Sequence, residues 1–270
     1  SACSRHPHLS ESLPASPMSQ RLRLLIEYDG RTFSGWQRQD EQLTVQGVLE
    51  DAAEALDGAP VIVQGAGRTD SGVHATGQVA HLELSRPREL RKIADALNYH
   101  LRPHPVSVLE ATEVDEDFHA RFSATGRAYR YLIINRRSHL TFEHGLAWRV
   151  SQTLDVGAMN AAAAHLIGTH DFTTFRDAAC QAKSPVKTLD TLGVSRYGNR
   201  LEVTTSARSF LHRQVRSFVG CLVEVGRGMR EPVWVKDILE AADRTQCGPV
   251  APSDGLYLER VMYDDLENAG

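Results

Sequence analysis

The chain has 270 residues, with 30 Lys and Arg against 34 Asp and Glu and a formal net charge of −4. Hydrophobic residues make up 41% and charged residues 24%, which excludes fibrous and wholly disordered chains. No apolar run approaches the ~18 residues of a bilayer-crossing helix, and no membrane partner is expected.

In chain order, residues 1–20 are rich in Ser and Pro, lack a hydrophobic signal region and read as a flexible leader. Residues 21–29 read as a strand ended at Gly30. Residues 45–56 place Val45, Val48, Leu49, Ala52, Ala53 and Leu56 on one helical face, with Thr44 as N-cap and Gly58 as stop. Strands follow at 60–64 and 77–84. A helical stripe of Leu90, Ile93, Ala94 and Leu97 comes next, and then a strand at 106–112. The order β-α-β-β-α-β is that of a ferredoxin-like unit.

The remainder repeats it less cleanly. A strand is expected at 129–135, a helix at 155–167 closed by Gly168, and a hairpin of 189–197 and 201–207 around Gly198-Asn199. Val215, Phe218, Val219, Leu222 and Val223 mark a long helix, a shorter one follows Pro232, and 257–262 is the last strand. The fold class is therefore α+β, with two ferredoxin-like (RRM-like) halves, residues 21–115 and 116–270. Their antiparallel sheets are expected side by side, with helices on one face and a basic cleft on the other. Such a platform suits an RNA-sized ligand or a dimer interface, and fold alone does not choose.

The 26 Arg and 4 Lys are unevenly spread. Residues 119–149 hold six Arg against Glu143 alone, and 206–230 hold five Arg against Glu224 alone. These blocks favour nucleic acid locally, whereas the net charge does not; an Arg bias from genome composition gives the same counts. The cysteines Cys3, Cys180, Cys221 and Cys247 form no Cys-x-x-Cys pair and read as free thiols of a reducing compartment.

Three segments stand out chemically. In 63–75 (VQGAGRTDSGVHA), four glycines from Gly65 to Gly77 crowd one connection around Arg68, Asp70 and His74. Spacing alone leaves open a tight turn, with Asp70 bonded to its own backbone, or a loop that approaches a ligand. No phosphate loop or dinucleotide fingerprint is present, and His81-Leu82-Glu83 lacks the cysteines of a zinc deaminase. In Arg127-Ala128-Tyr129-Arg130-Tyr131, strand alternation puts the tyrosines on one face and Arg130 on the other. That fits either core tyrosines or base stacking flanked by phosphate contacts. In 210–216, Arg213 and Arg216 share a helix face near its start. A cation there opposes the helix dipole unless an anion offsets it.

With Tyr28-Asp29-Gly30, Phe33-Ser34-Gly35-Trp36-Gln37-Arg38-Gln39 and Val45-Gln46, these segments resemble the tRNA pseudouridine synthases of the TruA type, in order from about residue 21 to 263. The 67–75 block is the most specific part of the match. Ser217, where the family more often has Asn, and Arg213-Gln214 depart from its pattern.

The resemblance implies isomerisation of uridine to pseudouridine in the tRNA anticodon stem–loop, at positions 38–40, with no metal or cofactor. It implies Asp70 as catalytic carboxylate, attacking sugar or ring, Arg216 as its ion partner, and Tyr129 stacking on the flipped uracil. Arg68 would take the evicted base's place, and His74, Arg130 and Arg213 are expected among the RNA contacts. It further implies a cytoplasmic homodimer with one tRNA spanning both subunits. The rival readings are a non-catalytic RNA-binding protein and the same chemistry on another RNA.

Overall fold

The computed structural model describes residues 19–264, so the expected leader, save for Ser19 and Gln20, lies outside the described residues. In β1 (Gln20–Tyr28), Leu22, Leu24, Ile26 and Tyr28 alternate into the core. The strand pairs antiparallel with both β3 (His74–Leu84) and β4 (Val106–Glu113). Helix α1 (Val45–Asp57) has the expected caps: the Thr44 side chain accepts from the Gly47 N–H, and Gly58 ends the helix at φ +82°. Helix α2 (Leu90–Leu101) packs on α1 and β4 and buries Ile93, Leu97 and Leu101.

The strand expected at 60–64 shrinks to β2 (Gln64–Gly65), a two-residue pairing on β3. Before it the chain is held by side chains instead: Gln46 Nε2 donates to Val63 O at 2.8 Å, and Glu50 Oε1 accepts from the Val63 N–H at 3.2 Å. Val61 and Val63 are still buried. Apolar alternation there reports burial without a ladder.

The second set comprises β5 (Gly126–Asn135), β6 (Trp148–Val150), α3 (Val156–Ala164) and β7 (Gly168–Asp171). It continues with β8 (Val186–Tyr197), β9 (Arg200–Ala207), α4 (Gln214–Gly226), α5 (Val233–Ala241) and β10 (Leu256–Met262). The strands form one ten-stranded sheet of order β4-β1-β3-β10-β5-β9-β8-β7, with β2 on β3 and β6 on β5. The two expected sheets are therefore joined, and the last strand makes the join. β10 runs parallel to β3 over Tyr257–His74 and Leu258–Ala75, and antiparallel to β5.

Two cores lie along the joined sheet. One packs Leu22, Leu24 and Ile26 of β1 with α1, α2, Leu258 and Val261; the other packs Tyr131 and Ile133 of β5 with α3, α4 and α5. Tyr129, on the same face of β5 as Tyr131 and Ile133, touches both. The opposite face of β5 carries Leu132 and Ile134, covered by Leu140 and Ala147. The helices of both sets thus share one side of the sheet, and the junction between them runs over Tyr129.

His81, the residue of the zinc-deaminase decoy, is buried, and its Nδ1 accepts from the Ala120 N–H at 2.9 Å. Burial first, then the neighbouring His119 and Arg21, pushes its pKa down to about 4. An unfolded histidine titrates near 6.5, so as pH falls the unfolded chain takes up the proton first. The stabilisation is complete above about pH 6.5 and is lost on the way down to about 4. Urea unfolding at pH 7 and 4.5 is expected to show a stability loss about 2 kcal/mol larger in the wild type than in His81→Asn. The asparagine oxygen can accept the same Ala120 bond without titrating; equal losses would remove His81 from the acid response.

Candidate active site

Between β2 and β3 the chain forms a loop braced by the end of β1, the segment that follows it, β3 and β5. The Trp36 N–H donates to Thr69 O at 3.0 Å, and the Tyr28 and Thr69 hydroxyls hydrogen-bond at 2.7 Å. Gln78 Nε2 donates to Gly67 O at 2.8 Å, and Arg127 Nη2 donates to Ala66 O at 2.9 Å. The Val73 N–H closes a turn on Asp70 O at 3.0 Å, with Gly72 at φ +80° as its third residue. Gly35 lies against the loop as well: a Cβ there would sit 2.9 Å from Thr69 O. The Tyr28-Asp29-Gly30 and Phe33–Gln39 blocks of the sequence are thus the wall on which the Asp70 loop rests.

The loop presents Asp70 to the start of α4. Asp70 Oδ1 accepts from His212 Nε2 at 2.7 Å, and Oδ2 accepts from Arg216 Nη1 at 3.3 Å. Arg216 is held in turn, since its Nε donates to Ala251 O at 2.8 Å and the Ala251 N–H donates to Arg216 O at 3.0 Å. The buried Gln214 side chain accepts from the Leu211 N–H at 2.7 Å, which fastens 210–213 to the helix. A charge-assisted pair of this kind offsets the cost of a cation in the first turn.

Tyr129 stands near this pair, edge-on to Phe210 with ring centroids 5.3 Å apart. Burial pushes its hydroxyl up to about 12; Arg127 opposes the shift and the Asp70 charge adds to it. At neutral pH the group is therefore a protonated hydroxyl that can donate a hydrogen bond. Arg127 itself is drawn down by burial, and its guanidinium spans three carbonyls, Ala66, Arg121 and Arg208.

Of the expected site residues, the structure brings Asp70, Tyr129 and Arg216 together on the helix-bearing side of the sheet, not on the opposite face. Arg68 is exposed and makes no hydrogen bond or ion pair among the described residues. Arg213, at φ +59°, reaches Asp177 at 3.1 Å. Two expected RNA contacts lie elsewhere. His74 is 1% exposed; its Nδ1 accepts from the Gly30 N–H at 2.9 Å and its Nε2 is 3.0 Å from both Gly145 O and Asp254 O. It is an internal pin joining three segments. Arg130 lies over the Tyr257 ring at 5.0 Å, beside Glu202 at 3.4 Å and Glu259 at 3.8 Å, on the other face of β5.

His212 is a partner of Asp70 that no motif of the sequence marks. Its spacing of four from Arg216 suggests a shared helix face, but the left-handed Arg213 breaks the helix between them. Only the fold shows that both side chains turn towards one carboxylate.

A family model described as tRNA pseudouridine synthase matches residues 24–123 and 162–264. The chain is 65% identical over 243 residues to a protein of Hyphomonas neptunium named tRNA pseudouridine synthase A, covering 90% of this chain and 98% of that one. Proteins of the same name from Maricaulis maris and Afipia carboxidovorans are 63% and 58% identical over 243 residues, each across 90% of this chain and 98% and 99% of their own.

Proposed function

Because the chain belongs to the tRNA pseudouridine synthase family, we propose that it isomerises uridine to pseudouridine at positions 38–40 of the tRNA anticodon stem–loop, with Asp70 as the catalytic carboxylate. The observation that carries the reading is the Asp70 carboxylate, gripped at one oxygen by His212 and at the other by Arg216, on a loop braced from several sides.

The reaction breaks N1–C1′, turns the uracil and joins C5 to C1′; a proton leaves C5 and one reaches N1, so nothing is gained or lost overall. One carboxylate serves as nucleophile or base at sugar or ring. Arg216 aims that carboxylate through its hydrogen bond to Oδ2, and His212 limits its rotation from Oδ1. Tyr129 offers the uracil an aromatic edge and a protonated hydroxyl near Asp70. A paired uridine must leave the helix to reach this depth, and the unpartnered Arg68 at the loop's rim is suited to fill the gap.

Exposed arginines of the segments 121–137 and 208–230, Arg213 among them, hold phosphates around the opening, whereas Arg127 and Arg130 are committed to partners within the protein. The two cores are read as two ferredoxin-like halves, 21–115 and 116–270, that share β10. A tRNA of this kind is larger than one opening, and a cytoplasmic homodimer would bind it across both subunits.

The test uses the wild-type chain with EDTA and unmodified tRNA carrying uridine at 38, 39 or 40, with carbodiimide-stop sequencing. Stops at those positions are the expected result. Stops elsewhere would keep the chemistry and replace the substrate, and binding without conversion of any tRNA would leave an RNA-binding protein.

A further inference from the structure

Cys221 and Cys247 are 26 residues apart in the chain, yet their sulfurs lie 3.7 Å from each other where α4 meets the segment leading to β10. Each cysteine adjoins a glycine that lets the two backbones touch. A Cβ on Gly220 would fall 1.6 Å from Pro249 O, and one on Gly248 would lie 3.3 Å from Cys221 Sγ and 3.7 Å from Cys221 Cα. The Gly248 N–H donates to Cys221 Sγ at 3.4 Å. Backbones this close bring two thiols within reach of a bridge by small side-chain and segment shifts.

The two sulfurs differ in access and in charge. Cys221 is fully buried, whereas Cys247 lines a cavity of about 530 Å³ together with Arg230, Trp234, Asp237 and Gln246. A hydrogen bond from the Cys221 thiol, against the opposing cost of burial and with help from Arg244 and Ser217, favours the thiolate at Cys247; the Cys247 sulfur and burial hold Cys221 protonated. The order of attack follows: an accessible thiolate in front, a buried thiol behind it.

We propose that Cys221 and Cys247 form a peroxide-reactive dithiol that closes to a disulfide between α4 and the 247–251 segment. The Cys247 thiolate attacks one oxygen of hydrogen peroxide, giving a sulfenic acid and hydroxide, and the O–O bond breaks. The Cys221 sulfur then attacks the sulfenyl sulfur; its proton leaves with the departing hydroxyl as water. Two thiols are oxidised, one peroxide is reduced, and two waters form.

An S–S bond is about 2.05 Å long, so closure draws the two sulfurs together by roughly 1.6 Å. The same two segments meet again at the paired hydrogen bonds of Arg216 and Ala251, which aim Arg216 at Asp70. Closure therefore pulls on the clamp of the catalytic carboxylate and lowers conversion. That effect rests on the reading of Asp70 given above; the bridge itself does not.

Full-length protein is treated with a small excess of hydrogen peroxide, alkylated while denatured and mapped by peptide mass, with tRNA conversion measured in parallel. The expected result is a linked Cys221–Cys247 peptide pair two hydrogens lighter than the separate thiols, reversed by dithiothreitol. Conversion falls several-fold and returns with reduction, and Cys247→Ser shows neither change. In Cys221→Ala, dimedone captures the sulfenic acid on Cys247. Absence of the 221–247 link, or dimedone on Cys180 or Cys3 ahead of Cys247, would overturn the site. A bridge that leaves conversion unchanged would overturn the coupling to Arg216.

Discussion

Asp70→Asn is expected to lower single-turnover conversion roughly 10,000-fold or more, the scale lost when a covalent or proton-transfer group is removed from a site that otherwise persists. The substitution keeps the shape of the side chain. An amide oxygen can still accept from Arg216, and the amide N–H can donate to His212 Nε2 once that ring takes its other tautomer. Arg216 also retains Ala251 O, so its guanidinium is not stranded. Thermal unfolding should therefore shift by only a few degrees, and tRNA binding by filter assay should stay within about threefold, since most of the affinity comes from phosphate contacts away from this carboxylate. Conversion within tenfold of the wild type would move the chemistry off Asp70. A loss of binding as large as the loss of conversion would make the carboxylate a structural anchor of the loop.

Gly30→Ala is expected to reduce conversion about 100-fold without changing any residue of the site. A Cβ at this position would lie 2.0 Å from Val73 O, 2.5 Å from Val73 C and 3.0 Å from Gly72 C, all of them backbone atoms of the turn that begins at Asp70. Ordinary contact needs about 3.4 Å, so the turn must retreat by more than 1 Å. A displacement of that size typically costs a catalytic group about two orders of magnitude. The Gly30 N–H also donates to His74 Nδ1, so movement on the Gly30 side would break the buried pin instead. Overpacking should lower stability by about 1–3 kcal/mol. Gly193→Ala is the control: its Cβ would meet nothing nearer than Asn160 Oδ1 at 3.7 Å, and conversion should remain within about twofold. Equal effects of the two variants would show that the Gly30 contact does not position Asp70.

Short-range patterns proved readable in the chain alone. Thr44 and Gly58 bound α1 where N-cap and left-handed stop chemistry predict, and the alternation of β1 marks its buried face residue by residue. The glycine-crowded loop around Asp70 is visible for the same reason: positive φ and close backbone approach demand particular residue types at particular places. Such signals depend on a few neighbouring dihedrals, which the local residues govern.

The contacts that turn those pieces into a site span far longer intervals. Asp70 meets His212 and Arg216 across more than 140 residues, and β10 enters the sheet between β3 and β5 rather than at an edge. His74 looks like a ligand-facing residue of the loop until Gly145 and Asp254 close over it, and Arg130 leaves the Asp70 side because β5 fixes its face and Glu202 and Glu259 receive it. Cys221 and Cys247 read as unrelated thiols until Gly220 and Gly248 bring their backbones together. No period of two or 3.6 residues encodes these encounters. They follow from the path of the whole chain, chosen by burying two cores against one sheet, and many weak packing terms set that path jointly.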